Sequence, residues 1–385
     1  MNPTSDPVPP TNQPGPTAAP AKPSFNLTRV LLITLVLVVL AGGYYYSQLR
    51  PVEEVDFLIF LRKVVSTPTQ LEEPYTDKDG DLVADPAPAD KQIDPDPLIF
   101  GALERSRAAQ IWAGFVAYLS KQTGKKVNFV ELPASGAGIA DMLREGKLHI
   151  ASVSTGTVPL VVNTAGFVPC VVPADDNGNF AYQMEILVRK DSPIKDLADL
   201  KSRKLTLTSM SSLSSFKAPV VTLWQQNPPL RPGKDYEVQI GSSQEAIILD
   251  LFNKRLTIPK SSEADAAAPA TPELVDHKGE YEAIAVANDL LQRIIGTNQL
   301  DEKQVRSIYK SQSYPPFCIG YVHTLKPELA AKIRAAFLEY PWDDLLKQEF
   351  ARSNQRKFVT IDYKKDWEGV RQLEKALHDL VTSNK

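Results

Sequence analysis

The stretch that decides the fold runs from Leu98 to Val153: LIFGALERSRAAQIWAGFVAYLSKQTGKKVNFVELPASGAGIADMLREGKLHIASV. Three apolar runs, 98–103, 127–132 and 148–153, have the length of strands. Between the first and second, Ala108, Ile111, Trp112, Phe115 and Leu119 recur at helical spacing up to Gly124. Between the second and third, Ile139, Met142 and Leu143 mark a helix that ends at Gly146. Strand, helix, strand, helix, strand implies parallel pairing, because a parallel connection needs a crossover long enough to hold a helix.

Downstream, strands at 167–172 and 182–189 intervene and the order then returns. Strands are expected at 204–208, 236–240 and 281–287, with helices at 216–225, 244–253 and 288–295. Two α/β units in series predict two lobes. Strands at 305–309 and 317–322 and helices around 328–339 and 367–381 close the chain. The stretch 258–278, rich in Ala, Pro, Ser and Glu, reads as a surface insertion without fixed structure.

Upstream, residues 1–28 are proline-rich and poor in large apolar side chains, the composition of a disordered tail. Residues 29–47 contain an almost purely apolar run that ends in Tyr44, Tyr45 and Tyr46, as expected of a transmembrane anchor. A cleaved signal peptide is the competing reading, since Ala41 and Gly43 could precede a cleavage site. Retention is favoured by the long proline-rich leader. Lys22 and Arg29 precede the run and Glu53, Glu54 and Asp56 follow it, which places the amino terminus in the cytoplasm. The expectation is a single-pass protein of the cytoplasmic membrane, with its folded part in the periplasm or outside. Residues 48–96 read as an acidic spacer.

The 43 Lys plus Arg nearly balance the 46 Asp plus Glu, with no basic stripe of the kind that tracks a phosphate backbone, so nucleic acid is excluded as a partner. The two cysteines, Cys170 and Cys318, sit in apolar runs; they read as buried thiols, and one bridge between them stays open. His149, His277, His323 and His378 show no metal spacing and pair with no nucleophile. His149 opens a strand and reads as a packing or edge residue. No acid, base and nucleophile assemble, so an enzyme is not expected and no cofactor is required.

In open α/β sheets ligands bind beyond the carboxyl ends of the strands, where helix amino termini present backbone donors. Those loops carry Ser106, Ser135, Ser154 and Thr155 in the first unit. The second unit offers Ser211, Ser212, Ser214 and Ser215, then Gln244, then Asp289. Hydroxyl groups and backbone N–H groups in such number suit a small oxyanion. For any one serine the plainer reading is a helix cap. A separate feature is Asp77, Asp79, Asp81 and Asp85 with Gly80, which resembles the short calcium loops of thrombospondin type 3 repeats. Calcium in the spacer is the expectation it raises.

Residues 98–158, the run SPIKDLADLK at 192–201, the segment Ser211–Pro219 and AIAVAND at 283–289 together resemble the phosphate, phosphite and phosphonate-binding proteins of ABC importers. The resemblance covers about residues 97–375. It implies a type II periplasmic-binding-protein fold, with one lobe from about 97–188 and 318–385 and the other from about 189–317, closing on a phosphorus oxyanion. It further implies an ABC permease and its ATPase as partners, besides the membrane through the N-terminal helix. The family's Ser-Thr-Ser-Gly loop falls on Ser212, Leu213, Ser214 and Ser215, a family histidine on Gln244, and a family aromatic on Val153. Of two carboxylates that hold an amine in some members, one falls on Asp289 and the other at or near Phe317. The rival reading is a membrane-anchored sensory or scaffold module on the same fold.

Overall fold

A computed structural model describes residue 61 and residues 68–103, 107–133, 135–252, 254–257, 273–276, 281–351 and 353–382, all within the compact unit Val55–Lys385. In chain order the first strands are β1 (Leu98–Leu103), β2 (Val127–Leu132), β3 (Ile150–Val153), β4 (Phe167–Ala174), β5 (Tyr182–Arg189), β6 (Lys204–Leu207) and β7 (Glu237–Ile240). They are followed by β8 (Lys254–Thr257), β9 (Glu273–Asp276), β10 (Ala283–Ala287), β11 (Val305–Tyr314), β12 (Cys318–Val322) and β13 (Lys357–Thr360). The helices are α1 (Ala108–Thr123), α2 (Gly136–Arg144), α3 (Val158–Ala165), α4 (Ala218–Trp224) and α5 (Gln244–Leu251). After these come α6 (Asn288–Gly296), α7 (Pro327–Glu339), α8 (Asp344–Ala351), α9 (Tyr363–Asp366) and α10 (Glu368–Thr382).

Two sheets carry the two lobes. The first has the order β13-β4-β12-β3-β1-β2 and the second β11-β5-β10-β6-β7. As expected, β1 pairs in parallel with both β2 and β3, and β6 with both β7 and β10. The remaining strands of each sheet join antiparallel, for instance β12 between β3 and β4. β3, β10 and β12 are buried along their whole length, which is why they read in the sequence as unbroken apolar runs.

The first lobe's core is aromatic. Phe100 and Phe115 are fully buried, with Trp112 edge-on to Phe100 at 5.1 Å and Phe115 stacked on Phe337 at 4.2 Å. Each such side chain contributes about 1.5–3 kcal/mol of burial energy. The second lobe packs β10 and β5 against α5 and α6 through Ile247, Ile248, Leu251, Ile284, Leu291 and Ile294.

Four sequence expectations change. The first lobe boundary moves, because β5 joins the second sheet; the chain crosses between Ala174 and Tyr182 rather than near 188. The expected structureless insertion contains β9, which pairs antiparallel with β8. The part of the acidic spacer that is described does not stand free: residues 68–96 are strapped along the first lobe, with Glu72 N–H donating to Asn163 O at 2.9 Å, Ala87 N–H to His323 O at 3.1 Å and Ile93 N–H to Thr324 O at 2.7 Å. Finally, no helix among the described residues is long and apolar enough to cross a membrane. Among the described residues the expected transmembrane helix and single-pass membrane placement therefore have no support, and the fold they show is corrected to the two-lobed α/β body alone. The tail at 1–28 and the apolar run at 29–47 lie outside the described residues.

Candidate ligand-binding cleft

The serine-rich loop of the second lobe is shaped by a π-helical turn, Leu213–Lys217, placed between β6 and α4. Lys217 N–H donates five residues back to Ser212 O at 3.1 Å, and Thr208 N–H donates to Ser215 O at 3.0 Å, so the loop closes on itself. Ser212 caps the turn by accepting from Ser215 N–H at 3.3 Å. Its Oγ also accepts from Ser215 Oγ at 2.8 Å. A hydroxyl has two lone pairs and one proton. With both lone pairs engaged, what Ser212 has left to offer is its proton. Ser215 is bonded in turn to Thr208 Oγ1, and since Ser215 gives its own proton to Ser212, Thr208 must be the donor. Thr208, Ser215 and Ser212 thus form a one-way hydroxyl relay in which each bond polarises the next.

The facing loop of the first lobe behaves differently. Thr155 Oγ1 donates to Pro315 O at 2.9 Å, and Ser154 Oγ lies 2.8 Å from Thr157 Oγ1. Gly156 is required between them by close approach of the lobes: a Cβ there would lie 2.5 Å from Ser211 O and 2.9 Å from Leu213 N. Trp367 Nε1 donates to Thr155 O at 3.3 Å from behind.

Between the loops lies a cavity of about 170 Å³. Of the residues expected from sequence, Ser154, Thr155, Ser212, Ser214, Gln244 and Asp289 line it. Gln244 Oε1 accepts Ala287 N–H at 2.7 Å, which leaves its amide N–H₂ as the donor end. Ser215 stands one shell back in the relay, Ser211 bonds Ser209 Oγ at 2.8 Å, and Ser135 caps α2 at Gly138 N–H, 3.3 Å away. None of these three lines the cavity. Ser106 lies outside the described residues.

The cavity also has walls that the sequence reading missed. Tyr182 enters from the start of β5, and burial pushes its phenol well above the ordinary value. Arg293 on α6 and Glu349 on α8 approach from opposite lobes to 3.5 Å. Phe317 stacks on Phe350 at 5.5 Å, tying the cavity to the aromatic core. Asp289 and Arg293 are four residues apart on one helix, a spacing that was legible. Glu349 and Phe350 sit on a helix that the sequence reading did not include.

A larger cavity, about 590 Å³, lies at the opposite end of β12 among Val83, Tyr321, His323 and Arg334, and none of the hydroxyl loops reaches it. Near it, Asp77, Asp79 and Asp81 bring carboxylate oxygens within 4.8 Å of one another. Burial, with the charges of Asp79 and Asp77 adding to it, raises the Asp81 carboxyl above its usual range. Asp85, expected in the same cluster, turns away to accept from Thr76 Oγ1 at 2.6 Å. Cys170 and Cys318 are buried free thiols on neighbouring strands, and burial lifts Cys170 to about 11. His149 accepts Ile99 N–H on Nδ1 at 3.0 Å, the packing role expected of it.

The model of a protein family described as the phosphonate periplasmic substrate-binding proteins of ABC transporters matches residues 100–258 and 273–367, well over half of the chain. The chain belongs to that family. Its match to the phosphonates-binding periplasmic protein of Escherichia coli strain K12 is 25% identical over 179 residues, 45% of this chain and 52% of the other, so it spans about half the length of that relative. Among solved structures, a binding-protein component of an ABC phosphonate transporter from Pseudomonas aeruginosa is similar at TM-score 0.58 and 22% identity, covering 75% of this chain and 88% of that one. A Prochlorococcus marinus protein in complex with methylphosphonate is similar at TM-score 0.55 and 14% identity, over 73% and 98%. These likenesses show the fold: two α/β lobes.

Proposed function

We propose that this protein is the solute-binding component of an ABC importer and captures phosphate, phosphite or a small phosphonate between its lobes. The observation that carries the reading is the relay from Thr208 through Ser215 to Ser212, which ends in an interlobe cavity with a polarised O–H donor. Ser214, Gln244 and Ser154 line the same space, and the Gln244 amide adds a second donor to it. A hydrogen bond to a charged group contributes about 1.5–3 kcal/mol, so a few suffice for the roughly 8 kcal/mol of micromolar affinity. Family membership supports the class of solute, and the importer's permease and ATPase are the partners that membership implies.

Calorimetry of the full chain against phosphate, phosphite, methylphosphonate, 2-aminoethylphosphonate and sulfate tests the assignment. Binding of at least one phosphorus compound is expected, weakened at least about tenfold by Ser212→Ala with Ser214→Ala. The family resemblance puts the second amine-holding carboxylate at or near Phe317, which lines the cavity, and Glu349 is paired with Arg293. The aminoethyl compound should therefore hold no advantage over methylphosphonate. Silence toward every phosphorus compound would overturn the reading.

We also infer that Asp77, Asp79 and Asp81 hold a calcium ion, whose charge would offset the mutual repulsion of three carboxylates whose oxygens lie within 4.8 Å of one another. Titration with calcium chloride should release heat in the wild type and none in Asp77→Asn with Asp81→Asn; equal heats would remove the assignment.

A further inference from the structure

Behind the serine loop lies a charged group that the ligand cavity does not use. Lys217, the last residue of the π-helical turn, is 4% exposed. Its Nζ donates to Gly156 O, in the other lobe's loop, at 2.8 Å and to Glu374 Oε1, on α10, at 2.5 Å. Glu374 is equally buried, and its Oε2 has no hydrogen-bond partner. A buried ion pair is rarely more stabilising than apolar side chains of the same volume, because desolvation of both charges offsets their attraction. Stability alone therefore gives no reason for a lysine here.

Geometry does. Thr155 O and Gly156 O are successive carbonyls of the first lobe's hydroxyl loop, and both are held from behind by buried donors, Trp367 Nε1 and Lys217 Nζ. Lys217 itself is two residues from Ser215 of the relay. Helix α10, which carries Glu374, packs on α3 of the first lobe and on α4 of the second. One ammonium group thus ties the first lobe's loop, the second lobe's loop and the C-terminal helix that spans them.

We infer that Lys217 is a positioning residue: through Gly156 O and Glu374 it sets the distance between Ser154 and Thr155 on one side and Ser212 and Ser214 on the other before any ligand arrives. What the pair contributes is spacing, which an apolar replacement of equal bulk would fill but not fix. The part of the test that uses ligand rests on the proposed function; the part that measures distance does not.

The test uses Lys217→Met with Glu374→Leu, which removes both charges together and keeps the bulk, so neither is left buried alone. Spin labels are placed through Lys121→Cys and Lys201→Cys, exposed positions in the first and second lobes, while the native thiols are buried. Pulsed electron resonance on the ligand-free protein should give a narrow interlobe distance in the parent and a shifted or broadened one in the variant. Where the parent binds methylphosphonate, the variant should bind it at least about tenfold more weakly, with its cooperative thermal transition retained. A folded variant whose distance distribution matches the parent overturns the inference, and so does one that binds with the parent's affinity. If the parent binds no phosphorus compound, the proposed function fails and the distance comparison still decides this point. If the double variant does not fold, Glu374→Gln takes its place: it keeps an acceptor but removes the charge, a broadened distribution is expected, and an unchanged one overturns the inference.

Discussion

The two loops that face each other across the cleft are both rich in hydroxyl groups, yet they handle their protons in opposite ways. On the first lobe, Thr155 gives its proton to a backbone carbonyl and Ser154 pairs with Thr157, so the loop is tied into its own scaffold. On the second lobe, Thr208 and Ser215 pass polarity forward and leave Ser212 facing the cavity as a donor. The number of serines and threonines in a loop therefore says little about how many donors a ligand meets. What counts is which hydroxyl stands last in a chain of bonds.

The most severe way to break this contrast is Lys217→Met alone, which strands a carboxylate between the loops. Loss of one partner from a buried pair costs about 3–5 kcal/mol, measured by urea unfolding, and a cost below about 1 kcal/mol would show that the loops do not depend on it. Next in size is a matched pair. Ser215→Ala interrupts the relay and leaves Thr208 without its buried acceptor, whereas Thr155→Val leaves Pro315 O without its donor. Each should cost about 1–3 kcal/mol of stability. Only Ser215→Ala should weaken oxyanion binding by more than about threefold. If Thr155→Val weakens it as much, the two loops are not different in kind.

Glu349→Gln comes third, because Arg293 and Glu349 are 3.5 Å apart and partly exposed. Removing a carboxylate from the lining of an oxyanion cavity and releasing Arg293 should raise affinity by no more than about 1 kcal/mol, and the difference should fade at high salt. The smallest effect concerns pH. Burial holds His149, at the head of the strand that leads to Ser154, and His323 below the ordinary value of 6.5. Because the folded state resists protonation more than the unfolded one, stability is complete above about pH 6.5 and falls as pH drops below it. His149→Gln, which keeps an acceptor for Ile99 N–H, should flatten that fall in thermal melts without altering the loops. A melting curve that stays as pH-sensitive as the parent's would shift the cause elsewhere.

β1 and β5 were legible because burial on both faces leaves short, largely apolar runs, and both have the bounds read from sequence, as does the half-buried β2. The same logic explains what was missed. Helix α3 is buried almost throughout, so its sequence VPLVVNTA shows no polar stripe to give it away. The lobe to which β5 belongs depends on pairing with β10 and β11, far away in sequence. Among the residues that line the cavity, those at strand ends were legible by position, including Ser154, Ser212, Ser214 and Gln244. Ser135 shows the weakness of that rule, since a cap and a ligand donor look alike before the fold is known. Lys217 was invisible for a deeper reason: a lysine reads as surface, and only Gly156 and Glu374, brought in from two distant segments, make its burial tolerable.

The order of strands in the first sheet has a consequence for biosynthesis. β12 lies between β3 and β4, yet it follows the entire second lobe in the chain. While the polypeptide leaves the ribosome, β1 to β4 emerge early but lack the strand that joins them. The second lobe, continuous from β5 to β11, has all of its own strands before β12 appears. The usual order, in which the amino-terminal part folds first, is thereby inverted. The later-made half folds as a unit, and its completion delivers the strand that lets the earlier half close.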